Sequence, residues 1–132
     1  MLGSAKIGAF VPTRDSQKAR RFYVDVLGLH FVSDDQFALV LDANGVKVRV
    51  SKVSDFTPQR FTILGWEVSN IEQVVSDLHE KGVSFEKYGF PGQDEQGIWT
   101  APMVDNDTGG AKVAWFKDPD GNVLSISEHP EA

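Results

Sequence analysis

The feature that most constrains this chain is an order of hydrophobic patterns that occurs twice. Apolar residues at spacings of three and four predict one helix after Asp15 and a second after Asn70. Gly28 and Gly82 are placed to end these helices, and Asn70 is placed to cap the second, with Gln73 as its capping-box partner. The apolar helix positions are Ala19, Phe22, Tyr23, Val26, Ile71, Val74, Val75 and Leu78.

Short apolar or alternating runs surround both helices and predict β-strands. One run precedes each helix and the others follow it, at 6–12, 37–41, 46–50, 61–68, 111–116 and 122–127, and a further strand begins at His30. The segments 42–45 and 118–121 have the Asp, Asn, Pro and Gly content of tight turns, with Asp118 and Asp120 placed to cap the second turn. The long segment 88–110 is rich in Gly, Pro and Asp, and its residues 97–101 form a candidate short strand.

The order strand, helix, three strands therefore predicts two βαβββ modules. The first spans about residues 5–53 and the second about 61–129, joined around Pro58. Since neither half buries enough surface to fold alone, we expect the 132 residues to form one domain of the α+β class.

Composition excludes several function classes. The formal net charge of −6 argues against nucleic acid or an anionic membrane as a partner, because phosphate binding needs clustered cations. The absence of cysteine excludes disulfides, thiolate catalysis and cysteine-based zinc sites. The chain has neither a run of about 20 apolar residues nor a start typical of a signal peptide, so the expected location is the cytoplasm.

Two motifs carry a family resemblance that covers nearly the whole chain. The segment Phe10–Asp15, followed by Ala19–Leu29, resembles the opening of a vicinal-oxygen-chelate protein, and Phe116–Asn122 resembles its closing hairpin. That superfamily includes glyoxalases, bleomycin resistance proteins and extradiol dioxygenases. The resemblance implies mixed sheets that curl into a cup, usually completed in a homodimer.

The chain departs from the family pattern at the metal-ligand positions. In metal-dependent members the ligands are His, Gln or Glu on the inner face of the first and last strands of each module. The matching positions here are Gly8, Arg49, Ile63 and Ser125. Because none supplies a carboxylate or an imidazole, we expect no metal and assign no cofactor. A register error of one residue would offer Glu67 or Glu128, which is a single ligand and not a cluster.

The remaining candidates describe a ligand-binding site. Arg49 lies on the face of its strand opposite Val46, Val48 and Val50. Three roles are open for it: it anchors an anionic ligand, it pairs with Glu67, or it lies at an exposed edge. Glu67 is the one weak candidate for a catalytic base. Phe10 and Trp115 are predicted either to form aromatic walls of a pocket or to belong to the core. For Trp99, the pocket is the favoured interpretation. The full predicted set is Phe10, Arg49, Glu67, Trp99, Met103, Trp115 and Ser125.

Two functions remain open at this level. The favoured one is binding of a small aromatic or anionic molecule in a dimer cup without the usual metal. The alternative is a lyase, isomerase or dioxygenase of the same superfamily that uses Arg49, Glu67 and loop residues. No positioned nucleophile or carboxylate pair is evident, which favours the binding function.

Overall fold

The computed structural model describes residues 1–102 and 110–130, which form two compact units. The first comprises Met1–Pro58 with Asp118–Asn122, and the second comprises Gln59–Lys117 with the chain from Val123 onward. Each unit contains one four-stranded mixed sheet and one main helical segment, so the predicted α+β class with two βαβββ modules is confirmed. Among the described residues, no helix is long and apolar enough to cross a membrane.

Module 1 follows the predicted order of elements. Asp15 caps its helix by accepting a hydrogen bond from the Lys18 amide at 3.2 Å, and the chain leaves the helical segment at Gly28, which has a positive φ of 82°. The sheet order is β1-β4-β3-β2, with β1 parallel to β4 and the other pairs antiparallel. The elements are a 3-10 turn at Leu2–Ser4, β1 (Gly8–Thr13), α1 (Ser16–Arg20) continued by a π-helix (Arg21–Val26), β2 (His30–Asp34), β3 (Ala38–Ala43) and β4 (Val46–Lys52).

The two faces of β1 and β4 differ as the alternation predicts. Val11, Val48 and Val50 are buried, whereas Val46 at the strand start is partly exposed. Phe10 and Arg49 are register partners on the opposite face. Phe10 is 65% exposed, so within its own module it does not belong to the core.

Module 2 has the same topology as module 1, but the first of the three strands that follow its helix is shorter. Its sheet order is β5-β8-β7-β6, with β5 parallel to β8. The predicted short strand in 97–101 is confirmed as β6, whereas Phe85 forms only a single bridge, to Phe116. The elements are β5 (Leu64–Glu67), α2 (Ile71–Glu80), β6 (Trp99–Thr100), β7 (Lys112–Lys117) and β8 (Val123–Glu128).

The predicted cap of α2 is wrong. Asn70 makes no side-chain hydrogen bond to the helix, and Gln73 bonds forward to Asp77 at 2.8 Å. Instead, Glu128 at the end of β8 accepts a hydrogen bond from the Ile71 amide at 3.0 Å. A carboxylate at this helix end is also favoured by the helix dipole.

The turn at 118–121 is confirmed and has a wider role than predicted. The Asp118 carboxylate accepts hydrogen bonds from the amides of Asp120 and Asn122 at 2.9 Å, which stabilises the turn. It also accepts one from the Tyr23 hydroxyl at 2.7 Å. Asp120 accepts one from the Thr13 hydroxyl at 2.6 Å, so this buried network ties the turn to the helix and first strand of unit 1.

Candidate functional site: the aromatic face of module 2

The two faces of the module 2 sheet carry different chemistry. Ile71 and Val75 of α2 are buried, and Lys112 of β7 pairs with Glu72 of α2 at 3.3 Å. By alternation, the α2 face includes the buried Ala114, Phe116, Leu124 and Ile126. The opposite face carries Trp115, which pairs in register with Ser125 and through it with Gly65. We refer to this side of the sheet as the open face, because the one helix described in module 2 lies on the other side.

Four aromatic side chains gather at the open face. Trp99 and Trp115 lie on neighbouring strands, with their ring centroids 6.2 Å apart. Tyr88 and Phe90 approach Trp115 from the long segment, at 5.5 and 5.8 Å. Edge-to-face and tilted pairs at these separations are the favourable geometries for aromatic rings. We call Tyr88, Phe90, Trp99 and Trp115 the aromatic cluster.

Gln93 holds the loop that brings Tyr88 and Phe90 to the sheet. Its side-chain oxygen accepts hydrogen bonds from the amides of Tyr88 and Gly89, at 2.9 and 3.2 Å. Its side-chain nitrogen donates to the carbonyls of Glu86 and Gly97, at 2.9 and 3.0 Å. One side chain therefore replaces the backbone pairing that a regular strand would supply, and it orders a segment rich in glycine.

The cluster borders a pocket of about 380 Å³. Tyr88 and Phe90 are 43% and 45% exposed, so both rings present a free surface. Burial raises the pKa of the Tyr88 hydroxyl above its ordinary value, which keeps the phenol neutral and able to donate a hydrogen bond. The lining residues are Arg60, Phe61, Thr62, Tyr88, Phe90, Trp115 and Val123.

The structure brings together only some of the predicted site residues. Trp99 and Trp115 meet in the aromatic cluster, and Ser125 lies buried beside Trp115 on the open face. Glu67 also lies on this face, but its carboxylate is 3.6 Å from the His129 ring and largely exposed. Met103 lies outside the described residues.

Phe10 and Arg49 belong to module 1, where both are exposed on the face opposite its helix. Arg49 contributes to lowering the pKa of Asp35, after hydrogen bonds from the amides of Ala38 and Phe37 and the charge of Lys52. The contact of Arg49 with a ligand, and its pairing with Glu67, stay predictions.

Sequence reasoning missed Tyr88, Phe90, Gln93 and Arg60. The available signal was the run Tyr88–Gly92, in which aromatic residues alternate with glycine and proline inside a long connection. Polar turn residues alone would suffice for a plain loop, so two aromatics there indicate a packing or binding role.

The metal-ligand positions do not fit a divalent ion. Gly8 and Arg49 lie on one face of module 1, and Ser125 lies on the open face of module 2. These side chains offer a hydrogen, a guanidinium and a hydroxyl where a metal site of this kind needs carboxylate or imidazole. Glu128, the other single-ligand candidate, caps α2. Nowhere in 1–102 or 110–130 do three or more His, Asp or Glu side chains gather to hold a metal.

The chain has two βαβββ modules. In each module the first and last strands pair in parallel, and one sheet face is turned away from the helix. This arrangement defines the class of paired-module proteins that the sequence motifs indicated. The family model for the Glyoxalase/Bleomycin resistance protein/Dioxygenase superfamily matches residues 6–126. The chain belongs to this superfamily.

Solved structures show the same fold at low sequence identity. A glyoxalase/bleomycin resistance protein/dioxygenase from Alicyclobacillus acidocaldarius is 15% identical, with a TM-score of 0.72 over 97% of this chain and 93% of that chain. A superfamily member from Sphaerobacter thermophilus is 24% identical, with a TM-score of 0.69 over 98% and 100%. TnmS3, an antibiotic binding protein from Streptomyces sp. CB03234, is 21% identical, with a TM-score of 0.70 over 98% and 99%. No curated protein sequence matches the chain.

Proposed function

We propose that this protein binds a small aromatic molecule on the aromatic cluster of module 2, without a metal. The observation that carries the proposal is the combination of four contacting rings with a pocket of about 380 Å³, at which Tyr88 and Phe90 remain nearly half exposed. Exposed rings in a fixed arrangement supply stacking surface to a ligand at little further entropic cost.

The core of module 2 does not require these rings. Its buried apolar residues, among them Ile71, Val75, Phe116, Leu124 and Ile126, belong to the α2 side of the sheet. The cluster lies on the other side, where Trp115 is partly exposed and the Trp99 indole nitrogen donates to the Pro91 carbonyl at 3.0 Å. The likeness to an antibiotic-binding protein is consistent with a ligand-holding role for this fold.

The pocket chemistry favours binding over catalysis. Among the described residues, its lining includes no carboxylate and no imidazole, so none of these residues is placed as a general base toward the space that a ligand would occupy. The hydroxyls of Thr62 and Tyr88 are suited to donate or accept single hydrogen bonds. We extend the proposal to a homodimer, as the superfamily resemblance implies, and to a cytoplasmic location.

Titration calorimetry with 1-naphthylmethanol tests the proposal. We expect the protein to bind this neutral two-ring probe, and Trp115→Leu to weaken binding by about 1–3 kcal/mol through lost contact and stacking. Phe37→Leu is the matched control, because Phe37 is an exposed ring of module 1 outside the cluster.

Added EDTA should leave the affinity for 1-naphthylmethanol unchanged, and elemental analysis after dialysis against Zn²⁺, Ni²⁺, Fe²⁺ and Mn²⁺ should find no stoichiometric ion. The proposal fails if the probe does not bind, or if Trp115→Leu and Phe37→Leu bind it as the unmodified chain does. Conversion of the probe into a product would instead favour the enzyme alternative.

A further inference from the structure

Arg60 is a cation without a partner among the described residues. It lines the pocket beside Phe61 and Thr62, its side chain is exposed, and it makes no ion pair, hydrogen bond or ring contact within 1–102 and 110–130. Six of the other twelve lysines and arginines form ion pairs or lie over aromatic rings within the described part of the chain, and these are Arg14, Arg20, Lys47, Lys52, Lys112 and Lys117.

Of the described residues that line this pocket, Arg60 is also the single one with a formal charge. Glu86, which precedes the loop, pairs with Lys117 at 3.3 Å. The chain as a whole carries a formal charge of −6, but charges beyond about 8–10 Å are screened at physiological salt. The charge that the described lining presents to a pocket ligand at contact distance is therefore the positive guanidinium.

A cation beside aromatic rings discriminates among aromatic ligands by charge. Four rings alone would suit a quaternary ammonium group as well as a neutral ring system, because the ring faces attract cations. The Arg60 guanidinium repels a cationic ligand and presents a planar fork that matches a carboxylate.

We propose that Arg60 makes the aromatic pocket selective for a planar aromatic carboxylate. The inference rests on the proposed binding function and adds the chemical class of the ligand. It assigns an anion-anchoring role to Arg60 because Arg60 lines the same pocket as Trp115, and the predicted ligand contact of Arg49 stays a separate prediction.

The experiment compares three probes that share one ring system: 1-naphthoate, 1-naphthylmethanol and (1-naphthylmethyl)trimethylammonium. By calorimetry the unmodified protein should bind 1-naphthoate roughly tenfold tighter than 1-naphthylmethanol, as expected for a charged hydrogen bond weakened by solvent exposure. The ammonium probe should bind most weakly. Arg60→Gln should bring the naphthoate-to-naphthylmethanol ratio to about one, chiefly by weakening the binding of 1-naphthoate. Arg60→Lys should retain part of the preference, since it keeps the charge without the fork.

Arg21→Gln is the matched control, because it removes an equal, exposed charge from module 1 at a residue outside the aromatic pocket, and it should preserve the tenfold preference. The inference is overturned if Arg60→Gln keeps the preference, if Arg21→Gln abolishes it, or if the ammonium probe binds tightest to the unmodified protein. In each of these outcomes binding of 1-naphthylmethanol persists, and the proposed function stands. Failure of 1-naphthylmethanol to bind would overturn the proposed function itself.

Discussion

Tyr23 and Asp118 lie 95 positions apart in the chain, and their side chains are joined by a buried hydrogen bond of 2.7 Å. Asp118 also accepts a hydrogen bond from the Asn122 side chain at 2.9 Å, in addition to two from backbone amides. Burial raises the pKa of the Asp118 carboxyl, while the hydrogen bonds from Tyr23 and Asn122 oppose the shift. Burial, together with the negative charge of Asp118, raises the pKa of Tyr23 far above its ordinary value.

Tyr23→Phe should lower the free energy of unfolding at pH 7 by about 1.5–3 kcal/mol, because it removes a hydrogen bond to a buried charged group. The difference should shrink above pH 10. In the unfolded chain the tyrosine ionises near pH 10, whereas the native hydroxyl, with its raised pKa, stays protonated. The contribution of Tyr23 is therefore complete below about pH 10 and is lost as the pH rises further. Urea denaturation at pH 7 and pH 10.5 measures the difference in the free energy of unfolding between the unmodified protein and Tyr23→Phe. An equal difference at the two pH values would contradict this assignment.

At the scale of elements, the start of α2 depends on the sheet of its own module. Glu128 at the end of β8 binds the Ile71 amide, while Asn70, the residue with the expected capping chemistry, makes no cap bond. Asn70 has φ and ψ of −147° and 60°, and its side chain does not reach the helix amides. A cap supplied from a neighbouring strand couples the helix to the sheet in a way that a local cap would not.

Glu128→Ala should lower the free energy of unfolding by about 1 kcal/mol, the typical loss for a helix cap. Asn70→Ala is the matched control and should change stability by only a few tenths of a kcal/mol, because no side-chain bond is lost. Thermal unfolding of the two variants measures both effects. Equal losses, or a larger loss for Asn70→Ala, would show that the helix is capped locally.

The loop that carries Tyr88 and Phe90 depends on Gln93. Gln93→Glu keeps an acceptor for the amides of Tyr88 and Gly89 but removes the two donors to the carbonyls of Glu86 and Gly97. We expect faster hydrogen exchange across 86–97, with little change at Ile126 in the core. Binding of 1-naphthylmethanol should weaken several-fold, because the rings lose their fixed placement. Gln96→Glu, an exposed substitution of the same kind in the same loop, is the control and should leave exchange unchanged.

At the scale of the whole molecule, both modules leave apolar side chains exposed. In module 1 these include Ile7, Phe10 and Phe37, and in module 2 they include Phe61 and Phe90. Exposed apolar groups mark a binding or association surface where they form a contiguous patch.

We expect a homodimer in solution, in line with the superfamily resemblance and with these exposed apolar groups. Light scattering at micromolar concentration should give about twice the chain mass of 14.6 kDa. Phe10→Glu, which places a charge on the exposed face of module 1, should shift the equilibrium toward monomer if that face takes part. A monomer in the unmodified protein would refute the expectation.

The order and type of nearly all helices and strands could be predicted from the sequence. Helical spacing and turn chemistry are local properties, so both helices, both tight turns and the two-module repeat could be predicted from short windows. The first tight turn shows the reason: Asn44 and Gly45 have positive φ values of 50° and 88°, and the Asp42 side chain accepts a hydrogen bond from the Gly45 amide. The family resemblance, and not local pattern, marked Gly8, Arg49, Ile63 and Ser125 as the metal-ligand positions, and none of these residue types supplies a carboxylate or an imidazole.

The contacts between side chains that are distant in the sequence could be identified only from the tertiary structure. It placed Tyr88 and Phe90 against Trp115, put Glu128 at the start of α2, and joined Tyr23 to Asp118. These contacts depend on strand pairing and loop path, which hydrophobic periodicity does not encode. Arg60 illustrates the same point, because its charge is visible in the sequence but its place beside the aromatic rings follows from the fold.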